Sequence, residues 1–110
     1  MKIDKPIYRV NLKKLVPTES VVGAEVKIAE IKRVIEKYGW FDDAAVAVRD
    51  AADGTIYLLD GHHRLAAAQE LGLKEIPVVV VEFSELSKFH LYYNSMEDIR
   101  GLANKVEKSR

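Results

Sequence analysis

The run from Thr55 to Ala68, Thr-Ile-Tyr-Leu-Leu-Asp-Gly-His-His-Arg-Leu-Ala-Ala-Ala, forces a change of secondary structure within a few residues. Thr55 to Leu59 is apolar, partly β-branched and of strand length, whereas Leu65 to Leu71 is rich in alanine and leucine and stops at Gly72, a natural helix C-cap. The chain therefore turns from strand to helix at Asp60-Gly61. Gly61 is free to take positive φ, and with no side chain it lets a ligand approach the backbone closely. The first N–H groups of the helix lack internal partners, and the macrodipole adds partial positive charge at the same end. An anion fits there. Arg64 adds a permanent charge in a fork that suits phosphate oxygens, and His62 and His63 are donors or acid–base groups near neutral pH.

Each residue also has a plainer role: Asp60 as the helix N-cap, Gly61 as a turn glycine, His63 as a packed histidine and Arg64 as a solvated first-turn residue. Together they exceed what a cap requires. The two histidines alone do not make a zinc pair, because neighbouring helix positions point about 100° apart and a helical ligand pair is spaced by four.

A chain of 110 residues suits one domain with a single core. It has no cysteine, which rules out a disulfide framework, thiol catalysis and a cysteine-based metal site. No apolar stretch approaches the roughly 20 residues needed to cross a bilayer, and Met1 to Pro6 lacks a signal-peptide h-region. The expectation is a cytoplasmic protein without membrane contact. Lys plus Arg equals Asp plus Glu at 17 each, so charge-driven nucleic-acid binding is not favoured. The charged fraction of 31% with a single glutamine leans toward a thermophilic source.

Along the chain, Ile7 to Leu12 alternates as a short strand, and Lys13 to Ser20 breaks that pattern at Pro17. From Ala24 to Tyr38, the residues Ile28, Ile31, Val34, Ile35 and Tyr38 recur at helical spacing, and Gly39 stops a helix expected to pack on a sheet. Ala45 to Val48 and Thr55 to Leu59 read as a hairpin around Asp50 to Gly54, and Val78 to Val81 reads as a buried strand. The tail reads as helical, with Ser84 capping a segment that carries Leu86, Phe89 and Tyr93, and Ser95 capping one that carries Met96, Ile99, Leu102, Ala103 and Val106. Phe89, Tyr92 and Tyr93, with His90, either close over a bound base or form the face of a homodimer, and their helical spacing favours packing.

The order Leu12 to Glu19, a helix, Gly39, a strand, then Leu59-Asp60-Gly61-His62-His63-Arg64-Leu65-Ala66-Ala67, Leu71-Gly72 and Ile76-Pro77-Val78 resembles the ParB/sulfiredoxin superfamily over about two thirds of the chain. Asp-Gly-His-His-Arg with a preceding Pro-x-Glu is most similar to its free serine kinase branch. The implied fold is α/β (α+β), a compact ParB/sulfiredoxin-like domain with a small mixed sheet flanked by helices. It spans 1–110, with the motif-bearing core at about 7–83 and the helical tail at 84–110.

The resemblance also implies roles. Pro17-Thr18-Glu19 matches the segment whose glutamate acts on the acceptor hydroxyl, so Glu19 is the expected base. The Asp-Gly-His-His-Arg segment holds nucleotide phosphates and magnesium in that branch, which assigns phosphate contact to Gly61, His62, His63 and Arg64 and makes Asp60 a ligand of the metal or its water. Asp60 and His62 join Glu19 as expected catalytic residues. The implied partners are Mg2+ with ADP or ATP, and free serine or another small hydroxyl acceptor.

Departures from the pattern matter too. Sulfiredoxin relies on a cysteine where this chain has His62, so its activity is excluded. Only 27 residues follow Phe83, too few for the DNA-binding and dimerisation segments of chromosome-partitioning ParB. A non-catalytic CTP-responsive or DNA-associated module remains an alternative, and a ParB-like nuclease is a third reading. The longer C-terminal region that helps define the amino-acid site in serine kinases is mostly absent. Where many relatives have Pro-Ile before the second strand, this chain has Trp40-Phe41-Asp42-Asp43, whose aromatics read as core or rim and whose acids read as loop residues or pocket lining.

Overall fold

The computed structural model describes residues 5–40 and 44–108. Phe41, Asp42 and Asp43 lie outside them. Five strands form one mixed sheet in the order β1-β5-β3-β4-β2, where β1 is Ile7–Asn11, β2 Leu15–Pro17, β3 Ala45–Arg49, β4 Ile56–Asp60 and β5 Glu75–Val81. β1 runs antiparallel to β5, β5 parallel to β3, β3 antiparallel to β4, and β4 parallel to β2. The helices are α1 (Glu25–Tyr38), α2 (His62–Glu70) and α3 (Met96–Lys108), with 3₁₀ segments at Leu12–Lys14 and Phe83–Phe89.

Both faces of the sheet are covered, and the two-residue period of the strands sorts their side chains between them. Ala45, Ala47, Leu58, Ile76 and Val78 face one core with Leu65 and Ala68 of α2. Val46, Val48, Tyr57, Leu59, Val79 and Val81 face the other, with Leu86 of the second 3₁₀ segment and Ile99 and Ala103 of α3. The buried reading of Val78 to Val81 and the β3–β4 hairpin both stand.

Four details differ from the sequence reading. The break expected at Lys13 to Ser20 contains β2, a three-residue strand that Pro17 is able to end because it lies at the sheet edge. α1 buries Ile28 and Ile35 against Ala66, Ala67 and Leu71 of the α2 region, so it packs on a helix instead of on the sheet. Its expected core positions Val34 and Tyr38 are exposed. Lastly, the second 3₁₀ segment is capped by Glu82, not Ser84, with a reciprocal capping box between Glu82 and Glu85. Ser95 does cap α3, accepting from the Asp98 N–H at 3.2 Å.

α3 is tied to the β3–β4 turn by a buried carboxylate. Arg100 donates to both oxygens of Asp50 at 2.7 and 3.0 Å, and the Ala52 N–H donates to the same carboxylate at 3.0 Å. The Arg100 guanidinium holds the Asp50 carboxyl below its usual range. Among the described residues, no helix is long and apolar enough to cross a membrane.

Candidate functional site

β4 ends at Asp60, and the chain enters α2 through Gly61 at φ 105° and ψ 22°. This conformation answers the question of the helix cap. Gly61, not Asp60, occupies the N-cap position, and it makes no side-chain cap hydrogen bond. A Cβ at residue 61 would lie 2.9 Å from Ala45 Cβ and 3.5 Å from Arg64 Nη2. Glycine is required there twice over, once by φ and once by the neighbouring strand. The same distances place the Arg64 guanidinium beside the start of α2, where its charge adds to the helix dipole.

The two adjacent histidines separate as neighbouring helical positions must. His62 is buried at 4% exposure, while His63 is half-buried. The buried ring accepts two backbone donors on its Nε2, the Thr18 N–H at 3.0 Å and the Glu19 N–H at 3.2 Å. Nε2 as acceptor places the ring proton on Nδ1. Nδ1 sits 3.3 Å from Glu19 Oε2, close but without the alignment of a hydrogen bond. Burial pushes the His62 pKa down, and the Glu19 and Asp60 carboxylates pull it only partly back. His62 is therefore neutral at pH 7.

Thr18 completes the junction. Its buried hydroxyl donates to the Leu58 carbonyl at 2.7 Å, and Pro17 pairs in register with Leu58 across the parallel β2–β4 ladder. The Pro17-Thr18-Glu19 segment is thus fastened to β4 by a hydroxyl and to α2 by an imidazole, and the Glu19 carboxylate is left two-thirds exposed beside the helix start. The sequence reading brought Glu19 and the Asp-Gly-His-His-Arg segment together through a resemblance. Geometry brings them together through Thr18 and His62, and nothing in the local pattern marked Thr18.

Tyr93 is one of the C-terminal aromatics whose spacing favours packing over closure on a bound base or a homodimer face. It packs, with Phe89, on the core that includes Leu59 and Val46. Burial raises its phenol pKa, and the negative charges of Glu19 and Asp60 raise it further. Tyr93 therefore feels the charge of the site from the core that covers the other face of the sheet. Tyr92 points elsewhere, exposed, with its hydroxyl 3.5 Å from His90 Nδ1. Trp40 is half-buried and packs between the α2-side core and α1.

Among the described residues no group of three or more His, Asp or Glu could hold a metal ion. Asp60 offers one exposed carboxylate at the mouth of the site. Such a donor set does not suit a resident metal held by the protein alone, but it suits magnesium, which commonly takes one or two carboxylates and is otherwise held by nucleotide phosphates and water.

Residues 6–96 match the ParB N-terminal domain. The chain belongs to this family. The ParB-family domain is 30% identical over 98 residues to the ATP-dependent L-serine kinase of Staphylothermus marinus, an overlap of 88% of this chain and 37% of that protein. It thus spans well under half the length of that relative. The fold is shared with a free serine kinase in complex with AMP (TM-score 0.60, 27% identity, 74% of this chain and 35% of the other). Sulfiredoxin from Arabidopsis thaliana has the same fold almost end to end (TM-score 0.60, 25% identity, 80% of this chain and 99% of the other). At the position where the sequence reading placed sulfiredoxin's cysteine, this ParB-family domain buries His62.

Proposed function

We propose that this domain is a nucleotide-dependent phosphotransferase that acts on free serine or another small hydroxyl acceptor. One observation carries the reading: His62 Nε2 accepts from both Thr18 and Glu19, so a buried imidazole sets an exposed carboxylate beside a helix N-terminus. The likeness to an L-serine kinase and to a nucleotide-bound serine kinase supports it. A module that only bound nucleotide would gain nothing from a carboxylate there, since it repels the phosphates.

In this reading the backbone N–H groups that open α2, from His62 onward, and the Arg64 guanidinium cradle the phosphates, with His63 adding a donor. Magnesium bound with the nucleotide would neutralise charge on the phosphate oxygens, with Asp60 as its protein ligand. Glu19 accepts the proton of the acceptor hydroxyl as that oxygen forms its bond to phosphorus and the bond to the leaving nucleotide breaks. In this reading His62 takes a part other than direct phosphate contact. With Nε2 committed to two backbone donors, it serves as a positioning residue that holds Glu19 in place.

The test is a calorimetric titration with ADP, ATP and CTP, each with magnesium, on wild type and Arg64→Ala, followed by a transfer assay. Adenine-nucleotide binding that weakens in the variant, with transfer to a hydroxyl compound, is the expected result. A preference for CTP without transfer would favour a nucleotide-responsive switch, and no binding would reduce the junction to a structural turn.

A further inference from the structure

Beside Glu19 lies a cavity of about 150 Å³, between the Ser20–Val22 segment, the His62–Gln69 stripe of α2 and Val106 of α3. At about 30 Å³ per water molecule, this is room for roughly five waters, the size of a small metabolite. Its polar groups are Glu19, Ser20, His62 and Gln69; Pro17, Val21, Val22, Leu65, Ala66 and Val106 supply the apolar remainder. Among the described residues no Lys or Arg lines it. Among the described lining residues the one charged side chain is the Glu19 carboxylate, and the His62 ring, whose Nε2 accepts two backbone N–H groups, carries no charge.

That charge pattern discriminates between small alcohols. An amino acid bound here with its hydroxyl at Glu19 brings a second carboxylate into a space where the described lining offers no cation to receive it. Two like charges at close range repel, and an unpaired carboxylate loses water without compensation. A molecule with the same hydroxyl and amine but no carboxylate meets neither cost, since its ammonium group is attracted to Glu19 and its remaining polar atoms reach Gln69 and Ser20. Lys13 stands in the adjoining groove, beyond Pro17, Gln69 and Val106, which wall both spaces.

We infer that the Glu19 cavity selects a small amino alcohol or polyol that carries no carboxylate, in preference to the amino acid of the same size. This rests on the phosphotransferase reading and narrows its acceptor. The reaction joins the acceptor oxygen to the terminal phosphorus of a nucleoside polyphosphate, breaks the bond between that phosphorus and the bridging oxygen, and sends the hydroxyl proton to Glu19.

L-serine and serinol are a matched pair, differing only in a carboxylate against a hydroxymethyl group. Each is titrated into the full chain with ADP and magnesium present, following the Gln69 side-chain amide and the Val106 methyl signals by NMR. Serinol is expected to shift both signals and to bind at least ten-fold more tightly than L-serine. Val106→Lys, which brings a cation to the cavity wall, is expected to reverse the preference. Val21→Lys serves the same purpose from the opposite wall should the first variant fold poorly. Equal or tighter binding of L-serine by the wild type overturns the inference, as does the absence of serinol binding. Phosphoryl transfer is read separately by 31P NMR. Transfer to L-serine with tighter L-serine binding sinks the acceptor class and leaves the enzyme reading standing, whereas serinol binding without transfer to any alcohol does the reverse.

Discussion

Replacing Gly61 by alanine should cost the fold about 3 kcal/mol, from two sources that are separable by experiment. An L-residue forced into the left-handed region pays about 1–2 kcal/mol for its Cβ against its own backbone. The new methyl would also lie 2.9 Å from Ala45 Cβ, closer than real Cβ atoms come, and overpacking of this kind costs about 1–3 kcal/mol. In urea, with a slope of about 1–3 kcal/mol per molar, the unfolding midpoint should fall by one molar or more. Ala45→Gly removes the obstructing atom. On its own it costs about 1–2 kcal/mol, from a lost buried methyl and a glycine within a strand. In the double variant only the φ penalty and the Ala45→Gly cost remain. The double variant should thus be more stable than the sum of the single effects predicts, by about 1 kcal/mol or more. Strict additivity would show that the contact with Ala45 costs nothing, and a Gly61→Ala midpoint equal to wild type would show that neither the contact nor the backbone conformation constrains this turn.

Other outcomes follow from the same geometry. Since burial lowers the His62 pKa, the unfolded chain binds a proton near pH 6.5 that the folded chain refuses. The His62 contribution to stability is therefore complete above pH 6.5 and falls as pH drops below it toward the folded pKa; in His62→Gln that part of the pH dependence, followed by thermal melts, should vanish. Glu19→Gln, on a two-thirds exposed side chain, removes a charge that repels the phosphates, so it should hold or tighten nucleotide affinity, leave the melting temperature unchanged and lower the transfer rate by at least about a hundred-fold. Arg64→Ala should instead weaken nucleotide binding by about 10–100-fold, the worth of a charge-assisted hydrogen bond; equal loss of binding in both variants would end this division of roles. Arg100→Ala, which strands the buried Asp50 carboxylate, should lower the melting temperature more than Asp50→Asn does, and a calorimetric scan that ranks them in the opposite order would contradict the ion pair as described.

The strongest periodic signals in the sequence translated directly into structure. The strand-to-helix change at Gly61, the β3–β4 hairpin, the buried β5 and the Ser95 cap are each legible from local chemistry. What escaped was set by tertiary neighbours. β2 is only three residues long and carries Pro17, so no pattern marks it until β4 supplies a partner. Val34 and Tyr38 follow the helical period, yet the surface that α1 packs on is the narrow side of α2, too small to cover them. Two adjacent histidines look equivalent in a sequence; only the packing of α2 against β2 decides that His62 turns inward. Tyr93 packs in the core on the other face of the sheet and still feels the charges of Glu19 and Asp60, a coupling no spacing rule encodes.

The double acceptance by His62 also bears on how portable such a site is. The carboxylate and the helix that would handle the phosphates lie more than forty residues apart in the chain, yet one imidazole is the joint between them. A helix transplanted into another protein would carry its affinity for anions along but leave the carboxylate behind, and an exchanged edge strand would arrive with its glutamate unaimed. Shuffling among relatives therefore has to move β2, the turn after it and the first residue of α2 as one inherited piece.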